Sequence, residues 1–275
     1  MLADYSIQRR YTGFNIMDSS TLTRLKNTYT LIPIHLGGIY AIYELVQGRA
    51  PSWWLWAVIL GYVCFKMLGI GACFHRLLSH YSFETHRIIK LFALWCGTVA
   101  GQGSPVFWVV VHQGYHHRYA DTERDLHSPQ QGFWHAYFLW LFRINYNKLN
   151  IKYAVRLLRD PDVMFFHNHY NKIFIASHCV MAVINFDLWL YFMILPCMIT
   201  FHSFAVQTSV FHYQGLGYRN YQTADTSVNV PWLFPISMGE CWHNNHHGDP
   251  GNPDFGHKRW WELDPTYWLI RLIKK

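Results

Sequence analysis

The chain has 275 residues, 51% of them hydrophobic and only 14% charged, too few charges for an ordinary soluble domain. A mean hydropathy of +0.00 equally excludes a bundle of membrane spans and nothing else. The formal net charge is +7, but the lysines and arginines form no arm or patch, which argues against nucleic acid as a partner.

Residues 1–30 are polar and aromatic and predict an irregular or interfacial arm. Arg9 and Arg10 precede a polar stretch, so no secretory signal pattern is present. The first apolar run, Leu31 to Val46, is close to the shortest that crosses a bilayer. Residues 47–52 read as a tight turn. Trp53 to Phe74 is a second apolar run, long enough to span, so the pair predicts a helical hairpin. A third run, Ile88 to Gly103, is interrupted by Gly97, Gly101 and Gly103 and followed by Pro105. It predicts a helix buried in, or lying on, the polar part rather than a span. Residues 106–170 interleave charges with aromatics.

A second hairpin follows, from Ile173 to Phe186, with a turn expected at Asp187, and then from Leu188 to Phe211. Residues 213–264 are polar again. Asp264 and Pro265 read as the N-cap and first residue of a last amphipathic helix. Six cysteines lie mostly in apolar runs without a CxxC pair and read as reduced core residues.

Charge placement orients these elements. Of 23 Lys and Arg, only Arg49 and Lys66 fall within the first hairpin, and none falls at 185–189. The positive-inside rule then puts both termini and the polar segments on the cytoplasmic side. The expectation is an all-α integral membrane protein, multi-pass, with four transmembrane helices in two hairpins at about 31–74 and 173–211. A cytoplasmic helical cap comes from 75–170 and 212–275, and the whole of 1–275 forms one domain.

Histidines gather at the ends of these runs. His75 and His80 follow the second run. His112, His116 and His117 follow the third, His212 closes the fourth, and His243, His246 and His247 lie beyond it. Under the topology above all nine face the same side. His112 and His116 share a helix face, as do His243 and His247. Adjacent His116 and His117 diverge by about a quarter turn, as do His246 and His247, so each pair can serve two different metals. His75 and His80, five apart, share no face of a regular α-helix, and an unwound helix end would let both point inward. Nine neutral nitrogens exceed the needs of one ion and fit two. Imidazole-rich sites with open positions suit iron in oxygen chemistry, with copper second. Asp121, Asp125 and Glu240 are candidates to orient the rings, and His127 stands near them. The remaining histidines, among them His135, His178 and His257, read as ordinary solvated or hydrogen-bonded residues.

With these segments in view, the chain resembles the membrane-bound fatty acyl desaturases, in particular the Δ9 acyl-CoA and acyl-lipid branch. HRLLSHYSFETHR is similar to the family's HRxxSHxSF. HQGYHHRYADTERDLHSP is similar to HRxHHxxxDTxxDPHxx. FHYQGLGYRNY closes the fourth run, and GECWHNNHHGDPG with RWWELDPTYW is close to GEGWHNNHH…RWWExD. There are departures. The second segment has one residue more than HxxHH, aligned here on His112 with Trp108 four residues before it; the other alignment puts Gln113 in the ligand position. Thr208 stands where the family often has an asparagine, and Leu126 and Cys241 replace Pro and Gly.

The resemblance implies nine histidines on two irons and a kinked tunnel for the acyl chain, to which Gln102 and Trp108 correspond. It implies O2-dependent introduction of a cis double bond, with Δ9 the expected position. The same centre in a lipid or alkane hydroxylase is the alternative. No flavin, nicotinamide, haem or iron–sulfur pattern occurs in the chain, so electrons are expected from a separate ferredoxin or cytochrome b5-type donor. The acyl carrier is coenzyme A, acyl-carrier protein or a membrane lipid.

Overall fold

The computed structural model describes residues 29–145 and 149–275, and these form an all-helical fold. The arm expected over residues 1–30 lies outside the described residues, apart from Tyr29 and Thr30. Helix α1, Leu31–Val46, coincides with the first apolar run. The turn after it is held by Arg49, whose Nε and Nη2 donate to Glu44 at 2.9 and 2.7 Å. Helix α2, Trp54–Ser79, follows, then α3, Arg87–Val99, and α4 over residues 105–119. The second half contains α5, Pro161–Asn168, α6, Tyr170–Ile184, and α7, Phe186–Val210. Two later helices, α8 (His243–Gly248) and α9 (Pro265–Ile273), complete the framework.

Among the described residues, α2 and α7 are long and apolar enough to cross a membrane. Helices α1 and α6 are apolar but shorter, with 16 and 15 residues. Inward faces bury Ile34, Phe65, Tyr191 and Met193, while Leu36, Val46, Trp56, Leu60 and Val183 face outward and exposed. An apolar exterior of this kind suits hydrocarbon better than water. Helix α7 packs against both α1 and α2, and α3 lies along α2. A Cβ at Gly69 would come within 2.5 Å of the Gly97 nitrogen, so α2 and α3 meet through their backbones. Helix α3 has 13 residues, below the ~17 that a span requires. Its second half is buried, whereas Ile88 near its start is exposed.

The second turn falls two residues earlier than the pattern predicted. Helix α6 stops at Ile184, and Asn185 caps α7 by accepting from the Leu188 N–H at 2.8 Å. Asp187 lies in the first turn of α7, where a carboxylate favours the positive end of the helix dipole. Asparagine is the better cap because its side-chain oxygen satisfies an otherwise orphaned N–H. Asp264 caps α9 in the expected way, accepting from the Tyr267 N–H at 2.9 Å. All six cysteines are free thiols. Cys73, Cys96, Cys197 and Cys241 are buried and Cys179 is exposed.

Helices α2 and α4 are not regular throughout. From Val63 to Ser79, and again from Val110 to His116, the backbone is π-helical. The His80 N–H donates to the His75 carbonyl at 3.2 Å, and the His117 N–H donates to the His112 carbonyl. Both are i→i+5 bonds, the signature of the π turn. The five-residue spacing of His75 and His80 is therefore met by a wider helix, not by an unwound end.

Candidate metal centre

Two groups of imidazoles converge where α2, α4, α7 and α8 end. His75, His80, His112, His117 and His246 offer ring nitrogens that all lie within 4.8 Å of one another. His116, His212, His243 and His247 form a second set under the same limit. The structure places His117 with the five and His116 with the four, and divides His246 from His247 in the same way. The π turns in α2 and α4 bring each five-apart pair into the five-histidine pocket.

The tautomers follow from the outer partners. His75 Nδ1 lies 2.5 Å from Glu240, His116 Nδ1 3.0 Å from Asp125, and His247 Nδ1 2.8 Å from Asp225. His212 Nδ1 lies 3.2 Å from Asp121. A carboxylate accepts, so each of these Nδ1 atoms carries the hydrogen and each Nε2 presents a bare lone pair. These Nε2 atoms face other imidazole nitrogens. His75 meets His246 at 2.9 Å, His212 meets His243 at 3.1 Å, and His247 meets His116 at 3.2 Å. His116 and His247 both have Nδ1 on a carboxylate, so between them two lone pairs point at each other. A bound cation makes such convergence favourable, and the donor set fits imidazole-binding transition metals.

Burial opposes protonation of several of the nine rings. It pushes His80, His112, His117, His243 and His246 well below the usual histidine range. Burial also takes His247 down to about 4, although Asp225 opposes it. The carboxylates go the other way from what burial alone would do. His127 and His116 hold Asp125 well below its ordinary value, and His247 does the same for Asp225. Glu240 is held down by His75 and Arg76.

Asp121, Asp125 and Glu240 thus stand behind ring nitrogens. Asp121 does so from a left-handed backbone conformation, φ 64°, which aspartate tolerates better than most residues. His127 is buried, its ring 4.7 Å from that of His116 and its Nδ1 3.6 Å from Asp125. Thr208 donates instead to the Ala136 or Ala205 carbonyl, at 2.8 and 3.0 Å. Trp108 packs its ring 4.9 Å from His112, with its Nε1 unpartnered. Both amide atoms of Gln102 are buried without a partner.

Asp225, Phe255 and Arg76 escaped the sequence reading, and Gln113 takes a role other than the ligand position that the alternative alignment gave it. Asp225 lies 22 positions from His247 in a loop of no regular pattern. The Gln113 amide sits 2.8 Å from His80 Nδ1 while donating to the Ser79 carbonyl. Gln113 is thus behind a ring of the pocket, and His112 is in it. Phe255 packs against His246 at 4.3 Å, with the Arg76 guanidinium 3.8 Å from the phenyl centre. His246 Nδ1 has no acceptor, so the phenyl face, not a hydrogen bond, fixes that ring. Arg76 also joins Glu240 and Asp264 at 2.9 and 2.7 Å. The asparagines between the histidines have a purpose too. Asn244 Oδ1 accepts from the Asn220 and Tyr221 N–H groups, and Asn245 Oδ1 accepts from Asn220 and Asn229 side chains. They fasten α8 to the GYRNY segment.

A cavity adjoins the rings. Lys66, Ile70, Trp108, Phe204, Gln207 and Thr208 line it, with His75, His112, His116 and His243 on its metal side.

Comparisons with known proteins give the family. Residues 51–273 match the fatty acid desaturase family model. The sn-1 stearoyl-lipid 9-desaturase of Anabaena variabilis is 31% identical over 256 residues, covering 90% of this chain and 89% of that protein. The Delta-9 acyl-lipid desaturase 1 of Arabidopsis thaliana is 32% identical over 217 residues, 75% of this chain and 68% of the relative. The icosanoyl-CoA 5-desaturase of Limnanthes douglasii is 32% identical over 262 residues, 91% and 69%.

Proposed function

The chain belongs to the membrane fatty acid desaturase family, and on that premise we propose that it introduces a cis double bond at Δ9 of a saturated acyl chain, at two irons held by its nine histidines. The convergence of bare imidazole nitrogens into two adjoining pockets carries this reading. His75, His80, His112, His117 and His246 would hold one ion, and His116, His212, His243 and His247 the other. When bound, the ions supply the oxidant made from O2 and two electrons of an external donor.

The chain's own residues do the rest. Glu240, Asp121, Asp125 and Asp225 keep hydrogens on Nδ1 and turn Nε2 inward, which also raises the basicity of each ring. Burial disfavours the protonated form of His80, His112, His117, His243, His246 and His247, a form that could not bind metal. The cavity holds the acyl segment beside the rings, where orientation of one C–C bond decides which carbons react. Trp108 lines it, whereas Gln102, which the resemblance also places there, is not among its lining residues. Low water content keeps a strong oxidant from being quenched.

The reading includes a single domain with four spans in two hairpins and termini and site on the cytoplasmic side. Helices α1 and α6 are short, so this rests on pairing each with a long neighbour. The acyl carrier is a membrane lipid or coenzyme A, by analogy with the relatives' names, with acyl-carrier protein the third option. A ferredoxin or cytochrome b5-type protein is the electron donor. The Δ9 position follows the Anabaena and Arabidopsis names, while the Limnanthes name shows that position varies.

The test is expression with a ferredoxin and its reductase, then fatty-acid profiling with double-bond localisation. A new Δ9 cis bond is the expected product. A hydroxylated chain without a double bond would replace desaturation by hydroxylation, and fewer than two irons per chain would overturn the proposed centre.

A further inference from the structure

A saturated acyl chain needs an apolar cavity, and this one contains a lysine. Lys66 is 1% exposed and lies on α2, nine residues before His75. It lines the same cavity as His75, His112 and His243. Among the described residues it donates no hydrogen bond and has no carboxylate within ion-pair distance. The nearest acidic group in the cavity wall, Glu240, is already engaged by Arg76 at 2.9 Å and His75 at 2.5 Å. Phe204, on α7, lies eight residues before His212, or roughly 12 Å along an α-helix. Lys66 and Phe204 therefore mark the deep end of the cavity and the histidines its shallow end.

A buried ammonium with only a longer-range attraction to Glu240 and no hydrogen-bond acceptor is costly, and the cost falls when something in the cavity accepts its hydrogens. A hydrocarbon tail has no acceptor. The wall also carries the Gln207 amide, whose Nε2 already donates to Ser203 at 3.3 Å. The Lys66 ammonium thus presents a donor where a methyl-terminated chain would present only C–H bonds.

We propose that Lys66 recognises an oxygen function on the acyl chain, so that the site takes substrates whose segment beyond the metals carries a hydroxyl or carboxylate. This rests on the acyl-cavity reading above and adds the class of chain to it. The oxygen accepts from the Lys66 ammonium, which also fixes how far the chain enters and hence which carbons lie beside the histidines.

Equilibrium binding to the full chain in detergent, without iron or donor, tests this. The probes are methyl palmitate and methyl hydroxypalmitates with the hydroxyl moved stepwise from carbon 10 to carbon 16. All share one neutral head, so the head cannot account for a difference. The expected result is about tenfold tighter binding at one hydroxyl position, the size of a hydrogen bond to a charged group. Lys66→Met, similar in length and uncharged, should remove that preference while retaining methyl palmitate. Equal binding of all probes by the wild-type chain overturns the proposal with no variant needed. A preference that persists in Lys66→Met overturns it as well. The desaturase reading fails separately: a retained binding preference with no unsaturated product from the iron-loaded enzyme and its donor would refute the reaction and leave the recognition standing.

Discussion

The two histidine pockets share a wall but are supported differently. In the four-histidine pocket, three rings rest on carboxylates: His116 on Asp125, His212 on Asp121 and His247 on Asp225. In the five-histidine pocket only His75 does, and its Glu240 is shared with Arg76. There His80 meets an amide, and His112 and His246 lie against Trp108 and Phe255. One pocket is set by charge and the other largely by packing. Carboxylates raise ligand basicity, so the four-histidine pocket should hold its ion more tightly.

Removing a ring should have the largest effect. His243→Ala and His247→Ala each take one of four ligands, and activity should fall to background, with one iron per chain by elemental analysis. His257→Ala, whose ring bonds only Tyr221 and a backbone carbonyl, should leave both iron and activity in place.

Next come the carboxylates, which separate the pockets by kind of damage. Glu240→Gln leaves the buried Arg76 with one anionic partner, and breaking such a network costs about 3–5 kcal/mol. It should lower the denaturation midpoint of the metal-free protein. Asp225→Asn keeps an oxygen that accepts from Thr223 and the Ser227 N–H, so it should cost less folding stability than Glu240→Gln while weakening metal binding about 10–100-fold, measured by competition with a chelator. Equal thermal losses in the two variants would erase the distinction between the pockets.

Acid should act more gradually. Burial takes His127 and His247 down to about 4, from 6.5 when unfolded. Between those values the unfolded chain binds more protons than the folded one, so stability falls as pH is lowered through that window. Asp125 and Asp225, both held below their ordinary value, keep their contribution until the pH drops below the unfolded carboxylate range. Thermal unfolding of the metal-free protein from pH 8 to 4 should show a plateau above about 6.5 and a steady decline beneath it.

The smallest expected effect is at Phe255. Phe255→Leu keeps bulk but removes the aromatic face against His246 and under Arg76. A few-fold loss of metal affinity in the five-histidine pocket is expected, about 0.5–1.5 kcal/mol for an aromatic contact, with no change in the other pocket.

Much of this centre was legible because its histidines are local. Three short segments carry eight of the nine histidines, and their spacing alone separates His116 from His117 and His246 from His247. The supports are less local. Asp225 sits in a loop far from His247 in sequence, and nothing in its neighbours marks it. Lys66 stood out as a charge within an apolar run, but only the fold shows that it faces the cavity. The turn of the second hairpin was placed at Asp187, although Asn185 was the better cap by its chemistry. The π turns were missed: an unwound helix end was expected for His75 and His80, and α-helical spacing was assumed around His112, although His112 and His117 are also five apart.

Those wide turns bear on how such a segment tolerates a change in length. An extra residue in an α-helix advances everything after it by 100° and would swing the later histidines out of the pocket. A turn closed by an i→i+5 bond takes up that residue on the spot, and the downstream helix keeps its phase. On the alignment that makes one position between His112 and His116 an added one, that position is a local widening whose rotation is cancelled before His117.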